Sequence, residues 1–487
     1  MSQDRTPSAD ELTPTQMFAA QVSQMTDEFW WQIDALLEVT DVALPEIEKI
    51  DSSHEVSSTV TRVTSSLSGE SMKKLMDAFH KYESVQDSDD PPPFMETMWE
   101  EVKAESWGPT FMMHLHESLQ RPPRAPIFLQ STIVSTVSAF EVLISGLVGQ
   151  YYTVTPQALD AASREKEKEF SLKELKEMDS IDDAIDIAIG RRVDEMMFGS
   201  FSDWRKFFAD KLNLKFEDYA IDWEVLQEVF QRRHVIVHNG GRASRRYLRN
   251  VAPRFSVNAA EGSLLHVDHG YAAKAANELL AFGFLLGTAT GMKLAKGEVE
   301  HFLGRLHKFT YRNLVKARYE MVGKCSAYGE SISTDMDGEL IFRVNRWIAR
   351  QRLSDESVRA EILAWDVKAL SPKYELAKHC LLGEIGSAMP LLRSLYVAGE
   401  IGFEDIIEWP LLEPLRGTDE YVDMTRTMEV PEGWHFAEVI LYENPKSGTL
   451  HLRRCSLVRP DFKRKAIDQI DASSASLCKR CRPSLTA

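Results

Sequence analysis

Apolar residues recur along most of this chain at the three-to-four-residue spacing of amphipathic helices. Residues 131–148 are apolar at positions i, i+3, i+4 and i+7, which predicts a buried helix with one carboxylate, Glu141, at its apolar centre. Residues 201–229 and 272–295 carry further helical apolar faces, and residues 13–124 also show a mainly helical pattern. The predicted fold class is therefore mainly α. The first amphipathic face consists of Met17, Val22, Met25, Phe29, Trp30, Ile33, Leu36 and Leu37.

The second half of the chain predicts helical hairpins. Successive helices with short turns are expected at residues 301–328, 340–353, 355–370, 373–382, 385–398 and 403–415. Residues 373–392 resemble a degenerate tetratricopeptide-like hairpin, in which small Ala377 lets the helices approach and Gly383 and Gly386 make the turn. Stacked hairpins of this kind form surfaces for peptides or protein partners. A plain helical bundle would give the same pattern equally well.

The C-terminal segment changes character. Residues 434–458 alternate apolar and polar positions around a turn at 444–448, which predicts a β-hairpin. A two-stranded hairpin needs support, so it should pack on the helices before it. The last dozen residues are expected to be unstructured.

The segment with the most chemical content is Gln231–Gly241, at the end of a predicted helix. It places Arg233 and His238 five positions apart, so their side chains leave the helix about 140° apart. Such a pair flanks a site at a helix end, which suits a cleft completed by a second element. Asn239-Gly240-Gly241 has the composition of a left-handed helix cap.

This arginine, four intervening residues and a histidine resemble the motif of the HEPN superfamily, many of whose members are metal-independent ribonucleases. His234 stands where a polar residue often follows the arginine, and Glu141 stands where the first long helix of a HEPN domain often has an acidic residue. The order of long helix, variable helices, motif helix and closing helix extends the resemblance over residues 126–297.

The resemblance implies roles for these residues. His238 would act as general base toward the 2′-hydroxyl or general acid toward the leaving 5′-oxygen, since an imidazole titrates near neutrality. Arg233 would stabilise the charge on the phosphorane, and His234 and Asn239 would orient the phosphate or the partner histidine. HEPN nucleases generally build one site from two motif helices, so a homodimer through this domain is implied.

The motif residues also fit three structures without a nuclease site. Val235, Ile236 and Val237 are β-branched, which would suit a short strand with His234 and His238 on one face. The two histidines are also spaced as half of a metal site, although no glutamate follows the first and no third ligand is near. Either histidine would also suit a helix C-terminus, where the dipole favours it.

Charge distribution gives an independent indication. The chain carries a net charge of −17, so it is not a general nucleic-acid binder. Residues 232–260 nevertheless contain no Asp or Glu. An arginine-only patch in an acidic protein would hold a phosphodiester, unless some of its members pair with acidic surface such as Asp179, Asp182 and Asp183. The residues predicted to contact RNA as positioning charges are Arg232, Arg242, Arg245, Arg246 and Arg249.

Composition bounds the remaining expectations. Five scattered cysteines favour a reducing cytoplasm, and the polar N-terminus is unlike a signal peptide. No run of 18 apolar residues occurs, so no membrane partner is expected. Cys478 and Cys481 form a single CxxC in a polar tail, a weak zinc signal, and we expect neither a metal nor another cofactor.

The predicted organisation is an N-terminal helical region at residues 1–125, a HEPN domain at 126–297, tetratricopeptide-like hairpins at 298–425, and a β-hairpin with a flexible tail at 426–487. The predicted function is a cytoplasmic, metal-independent endoribonuclease, a toxin or antiviral-defence effector of abortive-infection type. A protein trigger or inhibitor would bind the C-terminal hairpins. The alternative is a non-catalytic scaffold or sensor that binds nucleotides or protein partners.

Overall fold

A computed structural model of the protein describes residues 13–52, 64–85, 93–119, 122–162, 180–257, 259–426, 441–452, 462–465 and 476–478, with 170, 174, 178 and 428 as single residues. The described chain is mainly α, as the periodicity predicts. It divides into two compact units, Met1–Val358 and Arg359–Ala487.

The first unit contains fifteen described α-helices. They are α1 (Pro14–Ser52), α2 (Gly69–Val85), α3 (Phe94–Val102), α4 (Gly108–Leu119), α5 (Arg124–Val154), α6 (Gln157–Ala162), α7 (Ile181–Met197), α8 (Phe201–Leu212), α9 (Trp223–Asn239), α10 (Arg245–Asn250), α11 (Pro253–Ser256), α12 (His269–Leu294), α13 (Val299–Val315), α14 (Tyr319–Ile332) and α15 (Met336–Arg352). A short 3₁₀ helix, Phe216–Asp218, precedes α9.

Helix α12 is the centre of this unit. It packs against α1, α5, α9 and α13, and almost all its residues from Ala275 to Gly291 are buried. Glycines allow the close approach of its neighbours, since a Cβ on Gly287 would collide with the Thr26 side chain and one on Gly291 with the Phe302 ring. Because α12 is apolar on every side, it needs helices all around it.

The predicted division at residues 125/126 and 297/298 does not separate compact units. Helix α1, which precedes the predicted domain, packs against both α5 and α12 and shares their hydrophobic core. Helix α13, which follows that domain in the chain, also packs against α12. Helices α2 to α4 form a smaller cluster of their own around Phe111 and Met98. Helices α1 and α13 therefore belong with the predicted domain, because residues 126–297 alone would leave apolar helix faces uncovered.

Residues 301–328 form two helices rather than the one expected. Helix α13 ends at Val315, and Ala317 takes a left-handed conformation with φ of 57° before α14 begins at Tyr319. The Arg318 amide donates to the Asn313 carbonyl at 3.0 Å, which closes the turn. No glycine or proline marks this break, so the periodicity runs through it unnoticed.

Helix α5 is long and apolar enough to cross a membrane by length and composition, with a mean hydropathy of 1.7 over its most apolar stretch, half of which is buried within the fold. The requirement for an uninterrupted run of 18 apolar residues is therefore too strict to exclude this helix as a membrane-span candidate. In this fold it packs against α1, α9 and α12. Core helices and membrane-spanning helices share this composition.

The second unit begins within α16 (Ser357–Ala364). It continues through α17 (Pro372–Leu382), α18 (Ile385–Val397), α19 (Phe403–Glu408), α20 (Glu413–Arg416) and α21 (Asp419–Arg426), with a 3₁₀ turn at Pro410–Leu412. Helices α17 and α18 pack as a hairpin whose turn is Gly383, with φ of 74°. The predicted helical hairpin is present, but Gly386, expected in the turn, lies inside α18.

A small sheet lies near the C-terminus. Strands β1 (Leu441–Glu443) and β2 (Thr449–Leu452) pair antiparallel across the predicted turn, which confirms the β-hairpin in the described residues. Two strands join it that the alternation does not predict, β3 (Lys463–Lys465) beside β1 and β4 (Ser476–Leu477) parallel to β2. Residues 476–477 therefore correct the expectation that the last dozen residues lack structure. Cys481 lies outside the described residues.

Candidate active site

Helix α9 carries the motif and ends where the glycines predict. The Asp222 side chain caps its first turn by accepting from the Val225 amide at 3.2 Å. At the other end, Gly240 and Gly241 have φ of 59° and 74°, and the Gly241 amide donates to the Val235 carbonyl at 3.0 Å. Residues 235–237 are helical, so the alternative of a short strand is wrong.

Arg233 is held against the long helix α5. Its guanidinium forms an ion pair with Glu141 at 3.3 Å, and the two side chains are 30% and 27% exposed. Its Nε is buried and has no acceptor among the described residues. The carboxylate that the sequence places alone in an apolar helix thus fixes the motif arginine, and one of its donors is unused.

The two histidines lie together at the helix end. The His234 and His238 rings are 4.7 Å apart between centroids, and His238 and Asn239 are exposed. Partial burial lowers the pKa of His234 below its ordinary value, and the nearby charges of His238, Arg246 and Arg233 lower it further. His234 therefore favours the neutral form beside an exposed histidine, an arrangement in which one ring can orient the other.

A metal site receives no structural support from the described part of the chain. The histidine pair has the spacing of two ligands, but no group of three or more His, Cys, Asp or Glu side chains that could hold a metal ion occurs among the described residues. A pair alone leaves a metal ion short of the ligands that protein sites usually supply.

The sequence predicts that Arg232 contacts RNA, and the structure corrects this assignment. The residue is only 7% exposed and points into the protein, where Nε donates to Glu228 at 2.6 Å and Nη1 to the His266 carbonyl at 2.7 Å. Its guanidinium also lies over the Tyr271 ring, 4.4 Å from the centroid. Because successive helical residues are about 100° apart, Arg232 faces the core while Arg233 faces α5.

The buried partner of Arg232 is Glu228, a residue that the sequence pattern does not single out. Glu228 is fully buried and accepts hydrogen bonds from the hydroxyls of Tyr247 and Tyr271 as well as from Arg232. Burial raises the pKa of both tyrosines, and the Glu228 charge raises it further, so they stay protonated donors. A usable signal is present, since Glu228 and Arg232 are an i, i+4 acid–base pair on an otherwise apolar face.

The arginine patch folds back toward the motif. Tyr247 on α10 packs in a small core with Val235 on α9, which returns the chain beyond the glycine turn to the side of the motif helix. Arg246 lies close enough to lower the pKa of His234. Although Arg246 lies beyond the glycine turn in the chain, it is therefore close to the motif histidines.

Only some arginines of the patch lack an ion-pair partner among the described residues. Arg245 forms an ion pair with Glu261 at 2.7 Å, one residue beyond the acid-free window, rather than with Asp182 or Asp183, and Asp179 lies outside the described residues. Arg242 donates to the Gly262 carbonyl at 3.1 Å and Arg249 to the Arg245 carbonyl at 3.3 Å. Arg242, Arg246 and Arg249 are exposed, and no ion pair involves them among the described residues. These three are therefore the members of the patch whose charge no described carboxylate neutralises.

Apolar side chains stand exposed beside the motif. Val142, which follows Glu141 on α5, is 67% exposed, and Val237, which precedes His238 on α9, is 49% exposed. Single exposed apolar residues are ordinary, but these two are the chain neighbours of Glu141 and of the exposed His238.

Comparison with known proteins finds no match to this chain, whether among family models, curated proteins or solved structures.

Proposed function

We propose that this protein is a metal-independent endoribonuclease whose site is centred on Arg233 and His238. The observation that carries the proposal is the end of α9, where an arginine fixed by Glu141 and an exposed histidine beside a second imidazole face solvent next to an arginine-rich surface. The resemblance of this motif to that of HEPN ribonucleases agrees with the helical fold. We further propose a toxin or antiviral-defence role in the cytoplasm.

The chemistry needs no group beyond these side chains. An imidazole takes the proton from the ribose 2′-hydroxyl as its oxygen attacks the adjacent phosphorus. Arg233 stabilises the negative charge that develops on the phosphorane oxygens, because its planar guanidinium offers them paired hydrogen-bond donors. A second imidazole gives a proton to the 5′-oxygen as the P–O bond breaks, leaving a 2′,3′-cyclic phosphate and a 5′-hydroxyl. DNA lacks the attacking hydroxyl and would not be cut.

A homodimer would supply the acid and the base in one site. Each subunit offers one exposed motif histidine, so a two-fold axis near α9 would bring two of them together. Val142 and Val237 are the apolar surface that such an axis would bury. His234, held toward its neutral form, would orient His238, and Asn239 would contact the phosphate.

The test is RNA cleavage by the purified protein in EDTA. Wild type should cut single-stranded RNA, His238→Ala should lose roughly 10²–10⁴-fold in rate because a proton transfer is removed, and His234→Ala should lose less. His116→Ala, at an exposed position on α4, a helix that packs in a separate core cluster, is the matched control and should cut like wild type.

Three outcomes would count against the proposal. Cleavage that depends on added divalent metal would favour a ligand role for His234 and His238. A nearly silent His238→Ala with an inactive His234→Ala would reverse their roles. No cleavage by the wild type of any RNA tested, with intact fold, would favour the scaffold alternative and the hairpin of α17 and α18 as the functional surface.

A further inference from the structure

A second polar side chain of α5 lies at the end of the motif helix α9. The two helices pack together, and Glu141 on α5 forms the ion pair with Arg233. Nearer the start of α5, Gln130 reaches the glycine turn, where a Cβ on Gly241 would lie 3.0 Å from the Gln130 amide nitrogen. Helix α5 therefore flanks the motif from Arg233 to the turn, with a carboxylate at one point and a carboxamide at the other.

The carboxamide of Gln130 is not used by the described fold. The residue is half-buried, and its side chain makes no hydrogen bond with any described residue. A carboxamide carries two N–H donors and an acceptor oxygen in one plane. Whereas Glu141 on the same helix is paired with Arg233, Gln130 can still form paired hydrogen bonds with a ligand.

An apolar side chain and a cation lie at the same turn. The Leu265 amide donates to the Gly241 carbonyl at 2.9 Å, and Arg242 and Leu264 are opposite each other in a short antiparallel bridge. Opposite residues of such a bridge project their side chains to the same face. Leu264 is 39% exposed, and its Cδ1 would lie 3.5 Å from a Cβ on Gly241. A carboxamide, an apolar side chain and a guanidinium thus surround this glycine.

These three groups match the parts of one nucleotide in a single strand. Proteins read the unstacked bases of single-stranded RNA by hydrogen bonds to the base edges. A glutamine carboxamide pairs with adenine by donating to N7 and accepting from the N6 amine. Leu264 offers apolar surface that a base would remove from water. Arg242 is exposed, pairs with no described carboxylate and offers donors to a phosphate.

We propose that Gln130 is a base-reading residue that selects an adenine next to the phosphate held at Arg233 and His238. The inference rests on the proposed function for the position of that phosphate. Gly241 follows His238 by less than one helical turn of chain, so a base beside Gln130 belongs to a nucleotide that adjoins the scissile bond.

The experiment measures binding and cleavage separately on the full-length protein. The binding probes are four 2′-O-methyl tetranucleotides, uridine at every position but one, with A, C, G or U there; 2′-hydroxyl attack cannot cut them. The cleavage probes are the same four sequences as RNA. Gln130→Leu removes the carboxamide at similar size, and Gln130→Glu replaces its amine donor by an acceptor. Gln157→Leu, an exposed glutamine at the start of α6, is the matched control.

Wild type should bind the adenine strand about five- to 150-fold more tightly than the others, the range for one bidentate base contact, and should cut it next to the adenine. Gln130→Leu should lose this preference and still cut all four strands. Gln130→Glu should bind more weakly and prefer cytosine, whose N4 amine donates to a carboxylate. Gln157→Leu should match wild type.

A wild type without a preference for adenine, or a preference that Gln130→Leu and Gln130→Glu both leave unchanged, would overturn the inference. Adenine-dependent binding with no cleavage of the RNA strands would retain the base-reading role of Gln130 and count against the nuclease. Cleavage without any base preference would do the reverse.

Discussion

Replacing Arg232 by methionine should open the core of the first unit, whereas the same change at Arg233 should not. The two residues are neighbours on α9, but Arg232 is 7% exposed and Arg233 forms a partly exposed pair with Glu141. Methionine keeps much of the unbranched stem in each case and removes the charge. The pair of variants therefore compares a buried ion pair with an exposed one at nearly the same point of the fold.

The magnitude follows from what Glu228 loses. Arg232→Met leaves a fully buried carboxylate without its cation, and breaking a buried pair from one side costs about 3–5 kcal/mol. The hydroxyls of Tyr247 and Tyr271 still donate to that carboxylate, so the lower end, about 3 kcal/mol, is expected. This is roughly a hundredfold rise in the open population, since about 1.4 kcal/mol is tenfold. Arg233→Met should cost no more than about 1 kcal/mol.

Amide hydrogen exchange of residues 223–239 measures this opening free energy locally, which matters because a chain of two compact units need not unfold in one step. The double variant Arg232→Met with Glu228→Gln should recover at least half of the loss, because the uncompensated charge is gone. Correctly folded Arg232→Met should still cut RNA, whereas Arg233→Met should not. An Arg232→Met cost below about 1 kcal/mol, or an equal cost for Arg233→Met, would refute the assignment of Arg232 to the core.

Three further predictions concern the site. His234 should titrate by NMR below the ordinary histidine pKa near 6.5. Because the unfolded chain then binds this proton more tightly than the folded protein does, the folded protein should lose stability as the pH falls below about 6.5. His238→Ala should raise the pKa of His234, and a wild-type midpoint above 6.5 would contradict the burial argument. The double variant Arg242→Glu with Arg246→Glu should weaken RNA binding and reduce the slope of log K against log salt concentration by about 0.7 for each phosphate that is no longer bound. Glu261→Gln should release Arg245 from its ion pair and tighten RNA binding at low salt. Equal binding by all variants would assign these arginines to protein contacts. Analytical ultracentrifugation should find a dimer at micromolar concentration, and Val142→Asp with Val237→Asp should yield monomers that cut poorly, an expectation that a fully active monomer would disprove.

Helix positions are largely predictable because they depend on local pattern. The apolar period of 131–148 and 272–295 identifies α5 and α12, and Gly240-Gly241 places the end of α9 correctly. The break at Ala317 is not predictable, because the left-handed residue there is an alanine. The turn is closed by a backbone hydrogen bond from the Arg318 amide to the Asn313 carbonyl, which leaves no signature in residue type.

The orientation of the two adjacent arginines cannot be predicted from spacing alone. Arg232 and Arg233 are equivalent in the sequence until Glu228 is recognised as the buried partner of one and Glu141 as the partner of the other. The first pairing has a helical i, i+4 signal, but the second joins helices 92 residues apart in the chain.

The packing of α1 on α12 has a consequence for synthesis. The N-terminal helix finds its partner only after more than 200 further residues have been made, which at 5–20 residues per second takes on the order of ten to fifty seconds. Until then the parts of the α1 and α5 surfaces that α12 covers lack that partner, and the growing chain exposes them to the cell. Helix α9 also packs on α12, so the motif is fixed in place only late in translation. A nascent chain that stalls before residue 269 would carry Arg233 and His238 on an incomplete scaffold.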